Sequence, residues 1–188
     1  MRIKFDDDNL PRGIEGYYEI TDDTCIVYVN PTSPGIDWLI NFIAFPVPVD
    51  ITEPLGPWCH AGFKKYAYWL TGMIYSLQCQ HQFKKLYLTG FSAGGGVAQL
   101  AGLLCQEWLS QIETSVLSID GPRTTTRLPE NMRLVRNRGS LVADIPPWFK
   151  KADETILNNQ WRPFWKAHAD YDIEKILKEY TDGQEKDS

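Results

Sequence analysis

Gly90-Phe91-Ser92-Ala93-Gly94 matches G-x-S-x-G, a spacing that suits attack by a serine hydroxyl. With 14 glycines and 8 serines in 188 residues, only about 0.04 such matches arise by chance. The local context is also right. The motif lies between a strand-like run, Lys84–Phe91, and a helix-like run, Ala93–Gln111. A serine held on a strained strand-to-helix turn needs neighbours two positions away that lack a Cβ, and Gly90 and Gly94 meet that need. The Ala93 amide, at the helix N-terminus, would face an oxyanion formed on the substrate. The plain alternative is a glycine-rich turn that only packs tightly.

A nucleophilic serine needs a base, and three histidines make the search short. His168, in KAHADYD, follows the serine, as the chain order Ser, acid, His requires. His60 precedes the serine. His81 sits at the N-terminal end of the Lys84–Phe91 strand, where catalytic groups do not gather, and is assigned no role.

These groups must be positioned by a single layered domain. The 188 residues suit one fold, and 43% hydrophobic residues can fill its core. Gly16–Ile20 and Thr24–Asn30 are predicted strands joined through Asp22-Asp23, and Gly62–Gln80 is a predicted amphipathic helix. Ile36–Phe45 is a predicted short apolar helix stopped by Pro46 and Pro48. Ser115–Asp120 and Met132–Arg136 supply two more strands, and Tyr171–Tyr180 a last helix. Strands alternating with helices predict an α/β fold with a mostly parallel sheet.

Composition excludes several classes. The net charge of −5 argues against a nucleic-acid partner or a broad grip on anionic lipid. The charge-free stretch Leu86–Gln106 has the length of a membrane span, but Thr89, Ser92, Gln99 and Gly94-Gly95-Gly96 break it into a strand, a turn and a helix. The start carries no apolar signal region, so four reduced thiols and a cytoplasmic location are expected. Cys25, Cys59, Cys79 and Cys105 show no metal-binding spacing, and no metal or organic cofactor is expected.

Five landmarks in order resemble the class 3, fungal-type triacylglycerol lipases of the α/β-hydrolase superfamily. They are Val27–Thr32 with Asp37-Trp38, His60-Ala61-Gly62-Phe63, the elbow Gly90–Gly96, Gly121-Pro122-Arg123, and Ile145-Pro146-Pro147 with His168-x-x-Tyr171. The resemblance covers about Tyr17 to Leu177 and implies a three-layer sandwich around a mostly parallel central sheet. It implies Thr32 as a second oxyanion donor beside Ala93, although Asn30-Pro31 replaces the usual Arg-Gly. It also places a lid at residues 33–48, where Trp38, Phe42 and Phe45 would guard the site or touch a lipid interface. An ordinary turn threonine and a buried core helix are the plain alternatives for these two segments. Residues 181–188 are expected to form a solvated tail.

The departure from the family concerns the third triad member. Aligned on Pro146-Pro147, the family's aspartate falls at Ser140, which cannot ionise. Three readings stay open. The acid has migrated to Asp120, at a strand end that the pancreatic type of lipase also uses; or Asp144 replaces it; or the chain lacks it. The expected activity is hydrolysis of a carboxylic ester, on a small-molecule or lipid substrate, by Ser92, His168 and Asp120 through an acyl-enzyme. The alternative is a catalytically degenerate module that binds lipid or protein.

Overall fold

The computed structural model describes residues 2–6, 15–30, 45–53, 55–157, 166, 171–173, 175–176 and 178–180. Strands β1 (Ile3–Asp6), β2 (Glu15–Thr21) and β3 (Thr24–Val29) form an antiparallel edge. Strands β6 (Lys85–Phe91), β7 (Glu113–Ile119), β8 (Asn131–Arg136) and β9 (Glu154–Ile156) continue it in parallel, in the order β1-β2-β3-β6-β7-β8-β9. Strands β4 (Pro46–Pro48) and β5 (Trp58–His60) pair separately as a small hairpin-like sheet.

Alternating side chains of the parallel strands serve two different layers, as a pleated sheet demands. Leu86, Leu88 and Val116 pack with helices α1 (Ala61–His81) and α2 (Ala93–Trp108) on one face. Tyr87, Phe91, Leu117, Ile119 and Val135 pack on the other against Tyr171, Ile173, Ile176 and Tyr180 of the C-terminal segment. The result is the expected three-layer α/β sandwich. Its central helix α2 is buried on every side from Ala93 to Cys105, and each fully buried leucine there contributes about 2 kcal/mol.

The sequence expectations hold for β2, β3, β6, β7 and β8, and for both long helices, within a few residues. Helix α2 ends at Trp108 rather than Gln111, because Leu109 and Ile112 turn into the core and start the descent to β7. Strands β1, β4, β5 and β9 were not foreseen. They are short, and β4 reads Pro-Val-Pro, a composition that argues against a strand except at an edge. The charge-free stretch divides at Ser92 into β6 and α2, and no helix among the described residues is long and apolar enough to cross a membrane. Of the 33–48 segment, residues 33–44 lie outside the described residues. Phe45 is 84% exposed and lies outside any helix, and 46–48 form β4. Residues 181–188 also lie outside the described residues.

Candidate active site

Ser92 stands between β6 and α2 with φ 53° and ψ −123°. A non-glycine residue in this region stores about 1–3 kcal/mol of strain, which the surroundings must outweigh. They do so through the backbone. The Ser92 N–H donates to the Ile119 carbonyl at 2.9 Å, and its own carbonyl accepts from the Gly96 N–H at 3.1 Å. A Cβ on Gly90 would drive into the Gly94 carbonyl, and one on Gly94 into the carbonyl of Val29 at the end of β3. Both glycines are therefore required by contact as well as by the motif. The Ser92 side chain makes no capping bond to the helix it precedes, so Ala93, mostly buried at the first position of α2, offers its amide at the positive end of the helix dipole.

Adjacent parallel strands carry Ser92 and Asp120 to the same edge of the sheet. Phe91 pairs with Ile119 in register, so Ser92 and Asp120 are the first residues past the ends of β6 and β7. Parallel sheets gather ligands at this carboxyl edge. Asp120 is fully buried, has φ 48°, and anchors its N–H to the Val135 carbonyl at 2.7 Å. The loop after it is tied to α2 by Gln99, whose amide donates to Ser118 Oγ at 3.0 Å and to the Pro122 carbonyl at 2.8 Å.

Ser140, at the position where the resemblance places an aspartate, reaches the same point from beyond β8. Its buried hydroxyl donates to Asp120 Oδ2 at 2.5 Å. The Tyr171 hydroxyl lies beside the Asp120 carboxylate and accepts from the Asn137 N–H at 2.7 Å. Burial first, and then the charge of Asp120, hold the Tyr171 phenol protonated well above the usual range. The Tyr171 ring packs on Phe91, the residue before the nucleophile, with centroids 5.4 Å apart. These two hydroxyls were not assigned to Asp120 from the sequence. The only hint was that Ser140 and Tyr171 both fall on landmarks of the resemblance.

Asp144 occupies a different environment. It accepts from Arg136 Nη1 at 2.6 Å and Arg123 Nη2 at 3.3 Å, and Lys151 Nζ lies 3.2 Å away. Burial raises its carboxyl pKa, but the hydrogen bonds and charges of Arg136 and Lys151 outweigh that and hold it below the usual value. Arg123 also donates to the Ala143 and Pro147 carbonyls at 3.2 and 3.4 Å, which joins the Gly-Pro-Arg and Pro-Pro landmarks into one braced loop.

The other residues separate clearly. His60 is fully buried, and its Nδ1 accepts from the Gly62 N–H at 3.1 Å as the N-cap of α1. Its ring packs edge-on to Phe63, a structural role. His81 is exposed in the last turn of α1. All four cysteines are free thiols; burial raises Cys25 and Cys105 to about 12 and Cys59 to about 11, so none of these three is a ready nucleophile. His168, Thr32, Trp38 and Phe42 lie outside the described residues.

No protein-family model and no curated protein matches the chain in sequence. Solved structures do match in fold, with fungal lipases among them. The Rhizomucor miehei enzyme superposes with a TM-score of 0.62 at 17% identity, over 77% of this chain and 60% of its own. A Yarrowia lipolytica lipase gives 0.65 at 16%, over 85% and 66%. A further structure, described as a triacylglycerol lipase with a serine protease triad at its catalytic centre, gives 0.62 at 18%, over 76% and 60%. The fold is thus the lipase-type α/β-hydrolase fold. The chain spans about 55–60% of the length of the first lipases it matches.

Proposed function

We propose that the protein is a carboxylic-ester hydrolase of the lipase or esterase type, acting through an acyl-enzyme. The observation that carries this reading is the elbow. Ser92 is held at positive φ between β6 and α2, with Gly90 and Gly94 at the two contacts that would otherwise block the turn. Such strain persists where a side chain has to be presented to a substrate.

In this mechanism Ser92 Oγ attacks the ester carbonyl while His168 takes its proton. The oxyanion is held by the Ala93 amide and by Thr32, the donor that the resemblance implies. His168 then protonates the departing alcohol and activates the water that releases the acid. Asp120 fixes the imidazole and stabilises its charged form. Asp120 is favoured over Asp144 because three cations already neutralise Asp144. A lipophilic substrate, with transient contact to a lipid interface, is supported by Trp38 and Phe42 in the sequence and by the exposed Phe45, Ile51 and Leu55 beside and between β4 and β5.

The test is covalent labelling with a fluorophosphonate, alongside turnover of short and long p-nitrophenyl esters. Wild type is expected to label at Ser92, and Ser92→Ala to lose both labelling and at least about 10⁴ of kcat. A folded wild type that neither labels nor turns over any ester would favour the binding-module alternative.

A further inference from the structure

Resting on that reading of Asp120, we infer that Ser140 and Tyr171 are positioning residues: two hydroxyl donors that orient the triad carboxylate. With Asp120 ionised, as the proposed triad requires, the hydroxyl directions follow. An ionised carboxylate only accepts, and the Asn137 amide only donates. The Tyr171 oxygen accepts from Asn137 at 2.7 Å, so its own O–H is left to donate to Asp120. The Ser140 hydroxyl, 2.5 Å from Oδ2, has the same orientation.

The cluster draws on three separate pieces of chain. Asp120 follows β7, Ser140 and Asn137 follow β8, and Tyr171 comes from the C-terminal layer. Asp120, Ser140 and Asn137 are each at most 3% exposed, so water does not supply these hydrogen bonds. Neutral donors also suit the task. They replace the solvation of a buried carboxylate without cancelling its charge, so the carboxylate keeps its attraction for an imidazolium. Arginine or lysine donors would use up that attraction.

The experiment measures kcat and KM on a p-nitrophenyl ester for Ser140→Ala, Ser140→Thr and Tyr171→Phe. Each is made in the full chain and again in an Asp120→Asn background. Ser140→Ala and Tyr171→Phe are each expected to lower kcat about tenfold with KM unchanged. Ser140→Thr should return to within about threefold of wild type. In the Asp120→Asn background neither loss should appear, because the donors act only through the carboxylate. Tyr171→Phe keeps the ring's packing and carries the test alone if Ser140→Ala does not fold.

The inference is overturned if both donors can be removed with kcat within twofold of wild type while Asp120→Asn is strongly impaired. It is overturned equally if the losses persist undiminished in the Asp120→Asn background. An Asp120→Asn enzyme as fast as wild type is a different result, since it removes Asp120 from the triad and the inference with it.

Discussion

Asp120, just past β7, and Asp144, in the turn after β8, have surroundings opposite in kind. Asp120 is fully buried and receives the Ser140 hydroxyl, with the Tyr171 hydroxyl beside it. Asp144 is about one-third exposed and receives Arg123, Arg136 and Lys151. Arg136 and Lys151 continue to Glu154: Arg136 Nη2 donates to Oε1 at 3.0 Å, its Nε makes an ion contact with Oε2 at 2.9 Å, and Lys151 lies 3.1 Å away. A carboxylate dressed in neutral donors retains its field, whereas one inside a cation network spends it on holding a loop. On the proposed mechanism the first is the triad acid, while the second braces a loop. Arg136 connects the two regions by also donating to the Ser140 carbonyl at 3.0 Å.

The sharpest way to break this contrast is to neutralise each aspartate in turn. Asp120→Asn is expected to lower kcat by about 10⁴, the cost of losing a triad carboxylate in a serine protease. Asp144→Asn should leave kcat within about threefold of wild type. Equal losses on ester turnover would erase the distinction.

A smaller effect belongs to the network itself. Arg136→Met leaves two carboxylates short of their main partner and should cost about 2 kcal/mol in urea unfolding. That is less than the 3–5 expected (about) for a fully buried pair, because water still reaches this one. Fluorophosphonate labelling of the folded variant should still go to completion.

The smallest effect is acid sensitivity. The Asp144 carboxyl titrates below its ordinary value near 3.8 in the folded protein. Its contribution is therefore present above that value and lost as pH falls through the lowered one. Asp144→Asn should lower stability by about 1 kcal/mol at pH 7, and the gap to wild type should narrow as pH falls below 3.8 in urea titrations. A gap that stays constant over that range would mean the ion pairs contribute nothing measurable.

How much was legible beforehand depended on the range of the interactions. The elbow was readable because its constraint is local: Gly90, Ser92 and Gly94 meet within one turn, and the clash that forbids a Cβ is between near neighbours. The long helices and parallel strands were readable from periodicity that covers many residues. The short strands were not, since three or four residues carry little pattern, and β4 is two-thirds proline. His60 shows a further limit. A histidine before a helix is equally compatible with catalysis and with capping, and only the bond from the Gly62 N–H to Nδ1 identifies it as a cap.

The sequence by itself determined that Ser92 sits on a strand-to-helix turn of an α/β domain, and that the family's acid position holds Ser140. It left open what that serine does and which aspartate matters. The tertiary structure supplied the surroundings of Ser140, Asp120 and Asp144, because these depend on which strand ends are neighbours. Register between β7 and β8 brings Asp120 and Ser140, twenty residues apart, within 2.5 Å, and packing of the C-terminal layer adds Tyr171. Hydrogen bonds act over a few ångströms of space, and no local pattern in the chain reports which distant residues will share them.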